Sequence, residues 1–152
     1  MKRLSFILLL LLLSGCKTKE IKVYSDSQIE EFDQMLSLAE DGDSKTYDLR
    51  NEQDCRSGRI PGFFCVRIVN SKGLEKSLDQ ICEDLQLILG KDKGRLIVFM
   101  DYDGSDANFL SEKLFKAGYY NIHYFQSGYE TYKNLKGSEF IPETGECNSC
   151  TA

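Results

Sequence analysis

Residues 94–106, Gly-Arg-Leu-Ile-Val-Phe-Met-Asp-Tyr-Asp-Gly-Ser-Asp, set the frame for the chain. An apolar, β-branched-rich run of strand length stops abruptly at a polar loop, Asp101, Tyr102, Asp103, Gly104, Ser105 and Asp106. An amphipathic segment follows from Ala107 to Ala117 and is closed by Gly118. This pattern predicts a buried parallel strand, a tight turn and a helix. In α/β folds, ligands and chemistry collect at the carboxyl end of such a strand. Backbone N–H groups at the helix start favour an anion there. Here the chain supplies three carboxylates instead.

The N-terminus reads as an export signal. Met1-Lys2-Arg3 leads into an apolar run, residues 7–13, too short to span a bilayer stably. Leu13-Ser14-Gly15-Cys16 resembles the lipobox of bacterial lipoproteins. That resemblance implies a signal peptide over residues 1–15, a palmitate-type lipid on Cys16, and a polar tether over residues 16–24. The expected location is the extracytoplasmic face of a bacterial cell membrane or outer membrane. Losing residues 1–15 removes Lys2 and Arg3, so 19 basic residues become 17 against 24 acidic ones, and net charge goes from −5 to −7. So acidic a domain is poorly suited to nucleic acid or an anionic lipid surface. Its attachment to the membrane would come from lipid.

The rest of the chain alternates strand and helix signals. Ser27-Gln28-Ile29-Glu30 reads as a capping box for a helix carrying Ile29, Phe32, Met35, Leu36 and Ala39, which Asp41-Gly42-Asp43 stops. Lys45 to Leu49 reads as a strand, and Phe63 to Ile68 as another after the turn at Pro61. Leu74, Leu78, Ile81, Cys82, Leu85 and Ile88 form a helical stripe ended by Gly90, which makes Cys82 a core thiol. Phe109, Leu110, Leu114 and Phe115 are the expected buried face of the helix after the loop. Asn121 to Phe125 is a strand, and Tyr129 to Leu135 a short last helix. This order predicts an α/β fold with three layers, α/β/α, around a mostly parallel central sheet.

Several of these segments resemble the rhodanese (sulfurtransferase) family over residues 25–136. Tyr47-Asp48-Leu49-Arg50 resembles its Asp-Val-Arg strand end, and Gly58-Arg59-Ile60-Pro61-Gly62 its Gly-His-Ile-Pro-Gly turn, with Arg59 where His is usual. Ala117-Gly118-Tyr119-Tyr120-Asn121-Ile122 resembles its Ala-Gly-Phe-x-Asn-Val, and Ser127-Gly128 stands near its Gly-Gly turn. The family's loop opens with a nucleophilic Cys, and the matching position here is Asp101. A carboxylate offers no polarisable thiolate to carry a sulfane sulfur. Like charges at about 4 Å and an effective dielectric near 20 cost on the order of 4 kcal/mol, so Asp103 and Asp106 would also repel an anionic donor. The resemblance therefore implies a catalytically inactive sulfurtransferase fold without catalytic residues or cofactor. Its expected role is binding or regulation toward an unknown protein or small-molecule ligand. Asp101 is expected to fill the N–H nest, Ser105 or Asp106 to add a second cap, and Arg50 and Arg59 to salt-bridge the acidic loop.

Two other chemistries fit pieces of the sequence. Residues 96–105 resemble the first motif of haloacid-dehalogenase-type phosphatases, with Asp101 as nucleophile, Asp103 as general acid/base and Mg²⁺ between them. The context departs from that family: only 46 residues follow Asp106, and no paired-Asp motif is among them. Asp101, Asp103, Ser105 and Glu112 loosely suit Ca²⁺, but Gly104 falls two places early for the EF-hand turn. Cys147-x-x-Cys150 sits in the tail, residues 137–152, as a disulfide or redox pair with no flanking cation to activate it. Setting Cys16 aside leaves Cys55, Cys65, Cys82, Cys147 and Cys150, an odd number. Their pairing is open in the sequence, a Cys55–Cys65 bridge among the options. His123, alternating with Ile122 and Tyr124, reads as a strand residue rather than a ligand.

Overall fold

The computed structural model describes residues 19–39 and 43–146. Its centre is β4, Ile97–Met100, all four residues of which are buried. Alternation along the strand sends Ile97 and Phe99 into one core and Val98 and Met100 into another. Each side chain removed from water in this way contributes about 1.5–3 kcal/mol, so the strand holds only where both faces are covered. β2, Lys45–Asn51, and β5, Asn121–Phe125, flank it in parallel register, Tyr47 opposite Phe99 and Phe99 opposite Tyr124. β1, Glu20–Tyr24, and β3, Phe64–Arg67, complete a five-stranded, all-parallel sheet in the order β1-β5-β4-β2-β3.

Helices cover both faces. α3, Leu78–Leu89, and α4, Ser105–Lys116, pack Ile81, Leu85, Leu89, Ala107, Leu110 and Leu114 onto one side. α1, Ile29–Leu38, and α5, Gly128–Lys136, pack Phe32, Met35, Tyr129 and Tyr132 onto the other. There Phe32, Phe125 and Tyr132 meet edge-on or tilted at centroid distances of 5.4 to 5.8 Å, within the favourable range for aromatic pairs. α2, Glu52–Ser57, is a short helix after β2, capped by Asn51, whose Oδ1 accepts from Asp54 N at 2.7 Å.

Several expectations need correcting. Glu20–Tyr24 is not tether but an edge strand; only Tyr24 is buried, so the strand's exposed pattern hides it. The cap before α1 is Ser25, not Ser27: Gln28 Oε1 accepts from Ser25 N at 3.2 Å across a 3-10 turn at Asp26–Gln28. Leu74 lies outside α3 and is exposed, and Leu89 rather than Ile88 completes the buried stripe. Phe109 and Phe115 are more than a third exposed, and Ala107 and Ser111 take the inner positions. Residues 137–146 of the tail pack against the domain. A 3-10 turn at Gly137–Glu139 leads to Phe140, which stacks edge-on against Tyr129 and Tyr132. Cys82 is a buried free thiol, as its stripe implies. The helix stop at residues 41–42 lies outside the described residues, as do Cys16, Cys147 and Cys150.

Candidate functional site

The loop after β4 is built by backbone contacts that exclude side chains. Gly104 has φ +84°, and a Cβ there would stand 2.2 Å from Gln126 O. Gly128 has φ +74°, and its Cβ would stand 2.0 Å from Tyr102 O. Only glycine admits both the left-handed backbone and the close approach. The loop is thereby pressed against the turn after β5, and Tyr129 N donates to Asp101 O at 2.8 Å.

Within that clamp Asp101 is fully buried. Its Oδ1 accepts from Gly104 N at 2.7 Å and its Oδ2 from Ala107 N at 3.0 Å. Both carboxylate oxygens are thus engaged by the orphan amides at the start of α4, in place of a cap from Gly104 itself. Burial raises the Asp101 pKa above the ordinary carboxylate value, and the nearby charges of Asp106 and Asp103 add to the rise. The two amide bonds oppose it without cancelling it.

The other acidic residues face elsewhere. Asp103 accepts from Ser105 N at 3.0 Å and from Ser105 Oγ at 2.5 Å, and these bonds lower its pKa. Asp106 pairs with Arg67 on β3 rather than capping the helix. The Tyr102 hydroxyl donates to Asp54 on α2 and accepts from Asn51 N at 3.2 Å. Neither expected arginine reaches the loop. Arg50 Nη2 pairs with buried Asp48 at 2.6 Å, donates to Gly58 O at 2.6 Å and lays its guanidinium 3.6 Å from the Tyr129 ring centroid. Arg59 is fully buried and pairs with Glu143. Glu143 Oε2 also accepts from Gly62 N at 2.7 Å, so residues 143–146 lie as a strap across the Pro61 turn. Among the described residues, no three His, Cys, Asp or Glu side chains gather in a metal-holding arrangement, and Glu112 does not join the loop acids.

Beside the loop, Arg50, Asp54, Gly58, Tyr102, Tyr129, Lys133 and Pro142 line a cavity of about 290 Å³. Cys55 on α2 is joined to Cys65 on β3, with Cα atoms 5.8 Å apart. His123 bridges neighbours in the sheet, Nδ1 3.0 Å from the Tyr24 hydroxyl and Nε2 2.9 Å from Asn121 Oδ1, and burial holds its pKa down to about 4. No sequence signal marks Asp54, Arg67 or Glu143, whose partners stand 39 to 84 residues away.

A family model described as the rhodanese-like domain matches residues 31–135, more than half of the chain. The chain belongs to the rhodanese-like domain family. Solved structures agree on the fold. A crystal structure of the Alr3790 protein from Anabaena sp. superposes with a TM-score of 0.58 at 15% identity, covering 84% of this chain and 86% of that one. The rhodanese-like domain of the same Anabaena protein, determined in solution by NMR, gives 0.55 at 12% identity, covering 89% and 84%. Reduced Bacillus anthracis CoADR-RHD gives 0.51 at 16% identity, covering 76% of this chain and 17% of that one. No curated protein matches the sequence. Among the described residues, no helix is long and apolar enough to cross a membrane.

Proposed function

We propose that this rhodanese-like domain is a binding module of the bacterial cell envelope, held there by lipid on Cys16, and that its loop does not transfer sulfur. The observation that carries this reading is the Asp101 carboxylate, which takes the amides of Gly104 and Ala107 for itself; the sequence resemblance aligns it with the family's nucleophilic Cys. A persulfide or an oxyanion would need those same donors. The residue in their possession has no sulfur to offer. The Cys55–Cys65 disulfide supports an extracytoplasmic address, because such bonds persist in oxidising compartments.

Sulfur transfer from thiosulfate to cyanide by the purified full chain tests the reading, alongside Asp101→Cys and a Cys147→Ser/Cys150→Ser double variant. The expected result is a silent wild type and measurable turnover in Asp101→Cys. An active wild type silenced by the double variant would move the chemistry to the terminal cysteines and sink the proposal.

A further inference from the structure

The charges of the domain are sorted along the sheet. All the strands run in parallel, so Glu20, Lys45, Ile97 and Asn121, where β1, β2, β4 and β5 start, lie at one end and the Asp101 loop at the other. Three segments meet at the first end. Glu20 N donates to Tyr120 O at 3.2 Å, and Tyr120 N to Lys93 O at 3.1 Å. Lys19 Nζ stands 5.6 Å from the Tyr120 ring centroid and Lys93 Nζ 3.6 Å from that of Tyr119. A Cβ on Gly118 would come 3.9 Å from Lys93 Cδ, so the turn after Lys116 lies against Lys93. Together the segments carry Lys19, Lys91, Lys93, Arg95 and Lys116 against Glu20 and Asp92, and Asp92 is taken by Arg95. Among the described residues, none of the four lysines forms a salt bridge. Asp43 and Glu139 lie at the same end but follow α1 and α5, the helices of the opposite face. This corner is therefore cationic in a chain of net charge −5. The acids of the site, Asp54, Asp101, Asp103 and Glu130, follow the ends of β2, β4 and β5. α4 alone, 12 residues long, sets about 18 Å between that end and Lys116. Charges are screened over about 8 Å at physiological salt, so a surface at the corner meets the lysines and not the acidic loop. The net charge of the chain does not describe what this end attracts.

We propose that this corner docks on an anionic bilayer, with Lys19, Lys91, Lys93 and Lys116 on the lipid phosphates, and that the Asp101 loop faces away from the membrane. The tether selects the occupant. The four steps from Cys16 to Glu20 span at most about 14 Å when extended, and Glu20 is the residue bonded to Tyr120 in the corner. A lipid on Cys16 holds this end of the sheet, and not the loop end, against the headgroups. There each lysine adds its own attraction to an anionic leaflet. The inference rests on the reading of the chain as lipid-anchored and names the face it turns to the membrane.

Lysine acetylation, read by mass spectrometry, tests it on the full chain purified from bacterial membranes and placed on vesicles of phosphatidylcholine with or without phosphatidylglycerol. Lys19, Lys91, Lys93 and Lys116 are expected to react about fivefold more slowly on the phosphatidylglycerol vesicles than on phosphatidylcholine alone. Lys72, in the exposed loop beyond β3 at the other end of the sheet, should react at the same rate on both. Lys91→Gln/Lys116→Gln, both at exposed positions, should return Lys19 to its phosphatidylcholine rate with unchanged circular dichroism. Equal rates on the two kinds of vesicle overturn the proposal, and so does shielding of Lys72 in step with the four. The intact mass of the same chain separates this inference from the anchor it rests on. A lipid-bearing Cys16 without charge-dependent shielding leaves the anchor standing and removes the docking face; a bare Cys16 with shielding keeps the face and removes the anchor.

Discussion

Asp101 makes opposite demands on the fold, and its pH response separates them. Replacing it with Ala leaves the amides of Gly104 and Ala107 buried without acceptors. Each such loss costs about 1–3 kcal/mol. Part is returned because no carboxylate is then held away from water, so the expected net loss is about 3 kcal/mol. Asp101→Asn keeps one acceptor but turns an amide donor toward another donor, so it should lose about half as much. The sign of the pH effect follows from burial. A carboxyl whose folded pKa is raised binds its proton more tightly folded than unfolded. Its contribution is therefore greatest when protonated, and it declines as pH rises from the ordinary carboxylate value through the raised one. The advantage of wild type over Asp101→Asn should then grow as pH falls from about 7 to about 4.5. Urea denaturation of both proteins at each pH, followed by circular dichroism, gives the difference free of the other carboxylates. If the advantage shrinks on acidification, the nest stabilises the ionised form and burial does not dominate. If Asp101→Ala is as stable as wild type at neutral pH, the carboxylate is no cap at all.

Three further outcomes follow from packing. Arg50→Met strands Asp48, which is fully buried, and should cost about 3–5 kcal/mol in urea denaturation; a loss below about 1 kcal/mol would mean that water reaches Asp48. Cys55→Ser/Cys65→Ser opens a loop of sequence separation 10 and should lose about 3 kcal/mol, with wild type under dithiothreitol falling to a similar midpoint. Gly128→Ala drives a Cβ toward Tyr102 O in a left-handed backbone, so a loss of more than about 2 kcal/mol is expected. An unchanged melting temperature would show that the loop yields freely.

The sheet was legible because its signals are local. β4 reads as a buried parallel strand from Ile97 to Met100 alone, and β5 was bounded correctly by its alternation. β1 was missed for the same reason: with only Tyr24 buried, Glu20–Tyr24 shows no apolar period, and backbone pairing to β5 alone makes it a strand. At the site, the Asp101 cap was legible from a carboxylate at the start of a helix. The partners of Tyr102 and Asp106 were not, since Asp54 and Arg67 arrive from elsewhere in the fold.

Arg59 shows how far that limit extends. In sequence it sits in a glycine- and proline-bounded turn, where a guanidinium belongs in water. In the fold it is fully buried. A charge taken from water costs several kcal/mol unless partners replace its hydration. The strap supplies them: the Glu143 carboxylate, Gly145 O at 2.8 Å from Nη1, and a backbone exchange with Glu143 at 3.0 Å in both directions. None of these lies within the family's matched span, which ends at residue 135. Arg59 and the strap are therefore one unit. Arginine is tolerated in that turn because residues 143–145 follow the domain, and the strap lies where it does because a buried guanidinium needs its acceptors. The same unit places Pro142 against Gly58, its Cβ 3.4 Å from where a Gly58 Cβ would stand, and so closes one wall of the cavity beside Tyr102. A buried arginine in the turn and a carboxylate beyond the matched span thus shape one wall of the cavity beside Tyr102.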